Sequence, residues 1–158
     1  MLTLVADTNI VFSAIIKPGR IRELVLDERI ALYAPEELLL ELNELKTKIL
    51  KHTRLTEEEL TYIIQVLANN IITIVPRETY KKPAQKALTI LAETDPSDTP
   101  FVALTIYLGA PLWTGDKRLI RLALKTGEFR AVDTRGVEML LQDKPWSEVE
   151  EEMRKRYL

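Results

Sequence analysis

The sequence predicts an α/β protein of three layers, in which helices cover both faces of a central, mainly parallel sheet of about five strands. Short apolar runs that are typical of strands alternate with longer segments whose apolar residues recur every three or four positions, as they do on one face of a helix. The first run, residues 2 to 6, is apolar except for Thr3. Such continuous apolar strands are expected where helices bury both faces of a parallel sheet.

The composition fits one soluble globular domain. The chain has 158 residues, which is enough for one domain with one core. Its residues are 46% hydrophobic and 29% charged, a composition that argues against disorder. It contains no Cys, which excludes disulfides and thiolate metal sites. We see no membrane-length apolar run and no secretion signal, so we expect a cytoplasmic protein and no membrane partner. Abundant Glu with scarce Asn, Gln and Ser is typical of heat-adapted (thermophile) proteins.

The first half of the chain predicts two strands and three helices. In order, they are a strand over 2–6, helices over 9–16 and 21–29, a strand over 30–34 and a helix over 36–51. "KPGR" ends the first helix, and Pro35 starts the third, where its missing N–H does no harm. The buried stripe of that third helix consists of Leu38, Leu42, Leu45 and Ile49.

The second half continues the alternation. In order, it predicts a helix from Thr56, a strand over 71–75 and a helix over 80–92. The loop "DPSDTP" comes next, followed by a helix through Leu108, a strand over 111–113, a helix over 117–125, a strand over 130–133 and a helix over 134–142. Thr56 and Glu59 have the spacing of a capping box. Gly127 follows the helix over 117–125, at a position where helices commonly end.

Two segments of the chain are distinguished: a domain over residues 1–142 and a charged helical tail over residues 143–158. "QDKPW" has the composition of a short hinge between them. The tail is predicted to form ion pairs at i,i+4 spacing between Glu150 and Arg154, Glu151 and Lys155, and Glu152 and Arg156. We expect it to pack through Val149, Met153 and Tyr157.

Five acidic residues stand where a parallel sheet would gather them. Asp7, Asp116 and Asp133 follow predicted strands, Asp98 opens the helix before the fourth strand, and Glu41 lies at the edge of the third helix's apolar face. Sites in such sheets form at the carboxyl ends of the strands. Singly, each acid also has a local explanation, because Asp is a preferred helix cap worth ~1 kcal/mol, Glu is common on helix surfaces and Asp is common in turns.

As a set, the acids indicate a metal site. Converging carboxylates cannot all stay ionised without a cation. Oxygen ligands in a chain without Cys and with a single His favour Mg²⁺ or Mn²⁺ over Zn²⁺. A group of carboxylates that holds one or two such ions is typical of enzymes that cut phosphodiester bonds.

At this point the residues resemble a known family, the PIN-domain ribonucleases, which include the VapC-like nucleases. "VADTNIVFSAI" resembles the family's first strand with its first Asp. "PEELLLELNEL" resembles its acidic helix, and "DPSDTPFVALTIYLGAPLWTGDKRL" resembles its Asp-led helix and the strand that ends in "TGD". The resemblance extends from about residue 2 to 142. The chain differs from many toxin members of the family, which have "DAxIAATA" where this chain has "DTPFVAL".

The resemblance implies a metal-dependent endonuclease, a hydrolase that acts on single-stranded RNA. It implies that Asp7, Glu41, Asp98 and Asp116 bind Mg²⁺ or Mn²⁺ or hold metal-bound water, with Asp133 as a fifth ligand. The residues implied to support this cluster are Thr8, Asn9 and Thr114. It also implies an RNA-processing nuclease or the toxin of a toxin–antitoxin pair, the latter with an antitoxin protein as partner. A homodimer is typical of the family, and Leu40 on the polar side of the third helix fits a contact.

Basic residues near the acids are candidates for binding RNA phosphates. Lys48 and Lys51 belong to a basic cluster at the end of the third helix, and Lys117 and Arg118 flank Asp116. The alternative is that they are solvated charges, some of them favoured by the helix C-terminus. The net charge of −2 does not by itself indicate a nucleic-acid binder.

Two other function classes compete with the nuclease. A binding module would keep the fold and hold RNA or a protein without cutting. A phosphoaspartyl enzyme would use Asp7, but a dehalogenase-like phosphatase needs a second Asp two residues later, and this chain has Asn9 there. The first class remains an alternative, and the second is disfavoured.

Overall fold

The computed structural model describes the whole chain, Met1–Leu158, and contains one five-stranded sheet. Its strands are β1 (Leu2–Ala6), β2 (Ile30–Pro35), β3 (Ile72–Val75), β4 (Leu112–Trp113) and β5 (Ala131–Val132). They are arranged in the order β3-β2-β1-β4-β5, and every neighbouring pair is parallel. The predicted three-layer α/β/α fold with five strands is confirmed, and the sheet is entirely parallel.

Ten α-helices connect and cover the strands. They are α1 (Thr8–Ile16), α2 (Arg20–Val25), α3 (Glu37–Glu44), α4 (Lys46–Lys51), α5 (Glu57–Val66), α6 (Lys81–Ile90), α7 (Thr99–Leu108), α8 (Lys117–Thr126), α9 (Thr134–Leu141) and α10 (Trp146–Tyr157). A π-helical turn over Leu67–Ile71 extends α5, and 3₁₀ turns precede α6 and α7 at Arg77–Tyr80 and Pro96–Asp98. None of the helices is both long enough and apolar enough to cross a membrane.

One hydrophobic core of 39 buried residues lies against the sheet. Residues 4–6 of β1 are completely inaccessible to solvent, and α7 packs across β1, β2 and β4. The largest fully buried side chain is that of Trp113 in β4. Because β1 and β4 are fixed in this core, the residues that directly follow them are placed with little freedom.

The predicted helix over 36–51 is two helices, which is a correction. The chain leaves the helix at Leu45, where φ is −86° and ψ is 0°, and α4 starts at the next residue. Pro35 does not start the helix but is the last residue of β2. Pro35 lies beyond the last residue of β2 that pairs with β1, and the next N–H, that of Glu36, donates to the Val75 carbonyl.

The predicted helix over 21–29 ends earlier, at Val25. The carboxylate of Asp27 accepts hydrogen bonds from the Arg29 N–H at 2.9 Å and from the Arg29 guanidinium at 2.8 Å. The Ile30 N–H donates to the Asp27 carbonyl. These local contacts stabilise a turn into β2, and such side-chain contacts compete with helical hydrogen bonds.

The C-terminal tail forms α10 and packs against α8 and α9. Val149 and Met153 on its inner face are completely buried. The predicted ion pairs Glu150–Arg154 and Glu151–Lys155 are present, at 3.2 Å and 3.7 Å. The predicted pair of Glu152 with Arg156 is wrong, because Arg156 pairs with Asp133 at 3.4 Å. The division of the chain at residue 142 stays a prediction.

Candidate metal centre

The candidate site lies where the order of the strands reverses. β1 has β2 on one side and β4 on the other, so the connections that leave β1 and β4 diverge and open a crevice at their carboxyl ends. Asp7 directly follows β1, and Thr114 directly follows β4. The Thr114 hydroxyl donates to Asp7 Oδ2 at 2.6 Å across this crevice.

Asp7 is a buried carboxylate with three hydrogen-bond donors. Besides Thr114, the Thr8 N–H donates at 2.8 Å and the Asn9 side-chain amide donates at 3.1 Å. Burial raises the pKa of Asp7 above its ordinary value, although these hydrogen bonds act in the opposite direction. Asp7 therefore caps α1, as its local explanation predicts, and also lies at the bottom of the crevice.

Glu41 reaches the same crevice from α3. Its side chain is half-buried and accepts a hydrogen bond from the buried hydroxyl of Thr8. Burial raises the pKa of Glu41, and the negative charge of Asp7 raises it further. Thr8 thus links two acids through adjacent groups, because its N–H binds Asp7 and its hydroxyl binds Glu41.

Asp98 is the acid without a hydrogen-bond donor. It is half-buried at the start of α7, and its side chain makes no capping bond there, so its local explanation as a cap is not supported. Burial raises its pKa to about 7, with further contributions from the charges of Asp7, Asp95, Asp116 and Glu41. The structure therefore brings Asp98 within electrostatic reach of the other three predicted acids.

Asp116 caps α8 and is joined to Asp7 through Thr114. Its backbone N–H donates to the Thr114 hydroxyl at 3.0 Å, and that hydroxyl in turn donates to Asp7. The Asp116 carboxylate accepts the Arg118 N–H at 2.9 Å and pairs with the Arg118 guanidinium at 3.2 Å. Thr114, Asn9 and Thr8 all form hydrogen bonds with backbone or carboxylate groups of the crevice. Their role in supporting a metal site stays a prediction.

Asp133 is engaged by a different part of the chain. Its carboxylate accepts the Gly136 N–H at 2.8 Å and the Tyr157 hydroxyl at 2.6 Å, and it pairs with Arg156. Burial and the hydrogen bond to Asp133 raise the pKa of Tyr157 to about 12. Asp133 is not among the charges that raise the pKa of Asp98. Its role as a fifth ligand stays a prediction.

The four acids of the crevice suit a hard divalent cation by their chemistry. They offer only oxygen ligands, and the pKa values of three of them, Asp7, Glu41 and Asp98, are raised because the crevice disfavours their charges. In this structure the side chains of no three Asp, Glu or His residues are grouped closely enough to hold one ion directly. The fit therefore rests on the ligand type and on the shared electrostatics of the crevice.

Comparison with known families now decides the family. A sequence model described as the PIN domain matches residues 5–150, most of the chain. The chain belongs to the PIN-domain family. PIN domains are generally nucleases, and the match contains all five predicted acids but ends inside α10. Comparison with curated protein sequences finds no significant match.

Two solved structures share this fold. VapBC2 from Rickettsia felis, solved bound to a DNA fragment from its promoter, matches with a TM-score of 0.63 and 16% identity, over 84% of this chain and 98% of the matched chain. FitAcB from Neisseria gonorrhoeae matches with a TM-score of 0.58 and 14% identity, over 83% and 97%. These similarities show the fold of the PIN domain.

The predicted RNA-binding cations of the PIN domain lie on two helices. Lys117 and Arg118 begin α8 and are exposed, with Arg118 in contact with Asp116. Lys48 and Lys51 lie on α4 and are also exposed, and the Lys48 ammonium lies 5.1 Å from the centre of the Phe12 ring. Of these four cations, only Arg118 contacts an acid of the crevice.

A cleft that the sequence does not predict lies beside the acids of the PIN domain. It has a volume of about 660 Å³, is mostly polar, and is lined by Asp116, Asp133 and three arginines, Arg118, Arg135 and Arg156. Arg156 was assigned to an i,i+4 pair within its own helix, so its position on this cleft was not expected. No sequence signal pairs Arg156 with Asp133, because their contact depends on how α10 packs against α9.

Proposed function

We propose that this PIN domain is a metal-dependent endoribonuclease that hydrolyses phosphodiester bonds of single-stranded RNA. The observation that carries the proposal is the convergence of Asp7, Glu41, Asp98 and Asp116 on the crevice between β1 and β4. The raised pKa of Asp98, about 7, results in part from the charges of the other three acids. Such an unfavourable group of carboxylates is stabilised when a cation binds among them.

The residues that would hold the cation are Asp7, Glu41, Asp98 and Asp116, with Mg²⁺ or Mn²⁺ as the ion that suits oxygen ligands. When bound, such an ion activates a water molecule for attack on the phosphate and neutralises the developing charge. The donor set of the chain supports this assignment, since it contains no thiolate ligand and only one His, and His52 instead contacts the Lys48 carbonyl at 2.8 Å.

The remaining groups of the crevice position the acids and the substrate. Thr114 and Asn9 fix the orientation of Asp7, and the Thr8 hydroxyl fixes that of Glu41. Lys117 and Arg118 place positive charge at the N-terminus of α8, where a phosphate would also be favoured by the helix dipole. Water is excluded on the protein side, because Asp7 and Thr114 are buried against the core.

The first experiment measures cleavage of labelled single-stranded RNA with Mg²⁺, with Mn²⁺ and with chelator. We expect metal-dependent cleavage by the wild type and a loss of at least roughly 100-fold for Asp98→Asn and Asp7→Asn, since each removes a charged ligand. Asp143→Asn is the matched control. Asp143 is exposed and has a φ of 59°, a conformation that Asn tolerates well, so this variant should cleave as the wild type does.

The alternative is a binding module of the same fold that holds RNA or protein without cutting. The ion pair between Arg118 and Asp116 favours it, because that pair competes with a metal for the carboxylate. Folded wild-type protein that binds RNA but does not cleave it with either metal would support this alternative. Cleavage that survives both Asp substitutions would instead indicate a contaminating nuclease and contradict the proposed site.

We further propose that the protein is the toxin of a toxin–antitoxin pair. The VapBC2 complex, which has the same fold, supports an antitoxin partner. The surface also offers an apolar groove of about 590 Å³ between α1, α2 and α5, whose lining includes Ile15, Leu26 and Tyr62. Co-expression with the product of a neighbouring small gene should yield a stable complex, and Ile63→Glu in that groove should disrupt it. Cleavage of RNA by a protein that forms no such complex would instead favour an RNA-processing nuclease.

A further inference from the structure

The cleft beside the acids combines three cations from three helices. Arg118 comes from α8, Arg135 from α9 and Arg156 from α10, and all three are exposed. The cleft also borders Thr114 and Asp116, so it is continuous with the crevice that holds the acids. Its volume of about 660 Å³ lies in the range of pockets that accept small ligands, which suits one or two nucleotides of a strand.

Arg135 has no partner within the protein. No carboxylate or carbonyl accepts a hydrogen bond or ion pair from its guanidinium, whereas Arg118 pairs with Asp116 and Arg156 pairs with Asp133. A planar guanidinium with its donors free is well suited to a phosphate oxygen. The unpaired Arg135 therefore gives the cleft a local excess of positive charge.

The end of α10 is held on the rim of the cleft by specific contacts. The Tyr157 hydroxyl donates to Asp133 at 2.6 Å, and the Arg121 guanidinium donates to the Tyr157 carbonyl at 2.9 Å. The Arg156 guanidinium lies 3.4 Å from Asp133 and 5.9 Å from the centre of the Tyr157 ring. These contacts fix the position of Arg156, although residues 151–158 lie beyond the matched family model.

We infer that this cleft, lined by Arg118, Arg135 and Arg156, binds the phosphodiester backbone of the RNA next to the bond that is cut, and that the C-terminal helix completes it. The inference rests on the proposed function, since the substrate is RNA. Asp133 acts in it as a positioning residue, because its carboxylate holds Tyr157 and Arg156. The contact is to phosphates, so it is independent of the base sequence.

The test measures binding of a short fluorescein-labelled single-stranded RNA by anisotropy, with Ca²⁺ in place of the catalytic metal, over a series of salt concentrations. We expect Arg135→Ala and Arg156→Ala each to raise Kd roughly fivefold. Each should also lower the slope of log affinity against log salt by about 0.7, the value for one lost phosphate contact on a single strand. Arg156→Lys keeps the charge and should retain most of the slope.

Lys155→Ala is the matched control. It removes the same charge from the neighbouring residue of α10, but Lys155 pairs with Glu151 and does not line the cleft. If the two arginine variants bind as tightly as Lys155→Ala, the inference is overturned, and metal-dependent cleavage by the same proteins would leave the proposed function in place. If the folded wild type neither binds nor cleaves RNA, both are overturned.

Discussion

Asp98 is the residue whose chemistry depends most on its surroundings. Burial, and then the charges of its neighbours, raise its pKa from an ordinary value of 3.8 to about 7, so the folded protein prefers the protonated form more strongly than the unfolded chain does. A raised pKa contributes stability below about pH 4, and this contribution is lost as the pH rises through 7. The raised pKa values of Asp7 and Glu41 act in the same direction.

This gives a prediction for the metal-free protein. Asp98→Asn should raise its melting temperature at pH 8 by roughly 2–4 °C, because a repelled charge is removed, and should have a smaller effect at pH 5. Mg²⁺ should stabilise the wild type at pH 8 more than this variant. Thermal melting with and without chelator measures both effects. Equal melting temperatures for the two proteins at pH 8 would contradict the raised pKa of Asp98.

A second substitution tests whether Asp133 is a metal ligand or a positioning residue. Asn keeps the shape of the side chain and can still accept from the Gly136 N–H and the Tyr157 hydroxyl. We expect Asp133→Asn to leave the half-saturating metal concentration for cleavage unchanged and to tighten RNA binding, since a negative charge leaves the cleft. Asp116→Asn, the comparison, should raise that metal concentration by roughly 10-fold or more. A similar rise for Asp133→Asn would support its predicted role as a ligand.

At the scale of single residues, the sequence indicates which acids lie near one another but not their state. Asp7 and Asp116 follow strands that are apolar runs, so their common edge follows from the fold class. The pKa of Asp98 depends on burial and on charges up to 91 positions away in the chain, such as that of Asp7. The pairing of Arg156 also depends on residues distant in the chain. The sequence predicts Glu152 as its partner, whereas the actual partner, Asp133, lies on another element.

Among the elements, α9 packs closely on β5 and α10 at Gly136. A Cβ atom on Gly136 would lie 2.8 Å from Cβ of Val132 in β5 and 3.4 Å from Cε of Met153 in α10. Real Cβ atoms do not approach one another to 2.8 Å, so a larger residue there must move α9 away from β5, whereas 3.4 Å from Met153 is an ordinary contact. Gly136 thus allows α9 to contact the sheet and the C-terminal helix at once.

Gly136→Ala should therefore destabilise the protein. Overpacking typically costs about 1–3 kcal/mol, which exceeds the gain of up to about 1 kcal/mol from replacing a helical Gly. Chemical denaturation measures the change in the free energy of unfolding. Arg135→Ala is the control, since it changes the preceding residue of α9, which is exposed and has no partner. A higher free energy of unfolding for Gly136→Ala would contradict this prediction, because it would show that the packing around residue 136 can adjust without destabilising the protein.

The elements themselves were largely predictable, and the errors occur where local contacts override periodicity. The capping box of Thr56 and Glu59 forms as predicted, because both partners are close in sequence. The helix over 36–51 kept its apolar period through Leu45, so periodicity could not reveal the break there. The early end of α2 likewise depends on the side chain of Asp27.

For the whole molecule, a homodimer stays a prediction that the surface makes testable. Leu40 on α3 has 58% of its surface exposed, and Leu88 on α6 has 51% exposed. If α3 forms the dimer contact, Leu40→Glu should yield a monomer by light scattering, because a buried unpaired charge is costly. The Leu88→Glu variant is the control and should remain a dimer, because Leu88 lies on α6 and not on α3. A monomeric wild type would contradict the prediction.

The strand order also determines when the crevice can exist during synthesis. β1 is made first, but its partner β4 starts at Leu112, after about two thirds of the chain. Before β4 emerges from the ribosome, Asp7 lacks the hydroxyl of Thr114, and one edge of β1 is unpaired. Chains fold from the N-terminus as they are made, so an incomplete chain contains the first acid of the crevice but not the last. A truncated nascent chain would therefore carry no assembled cutting site.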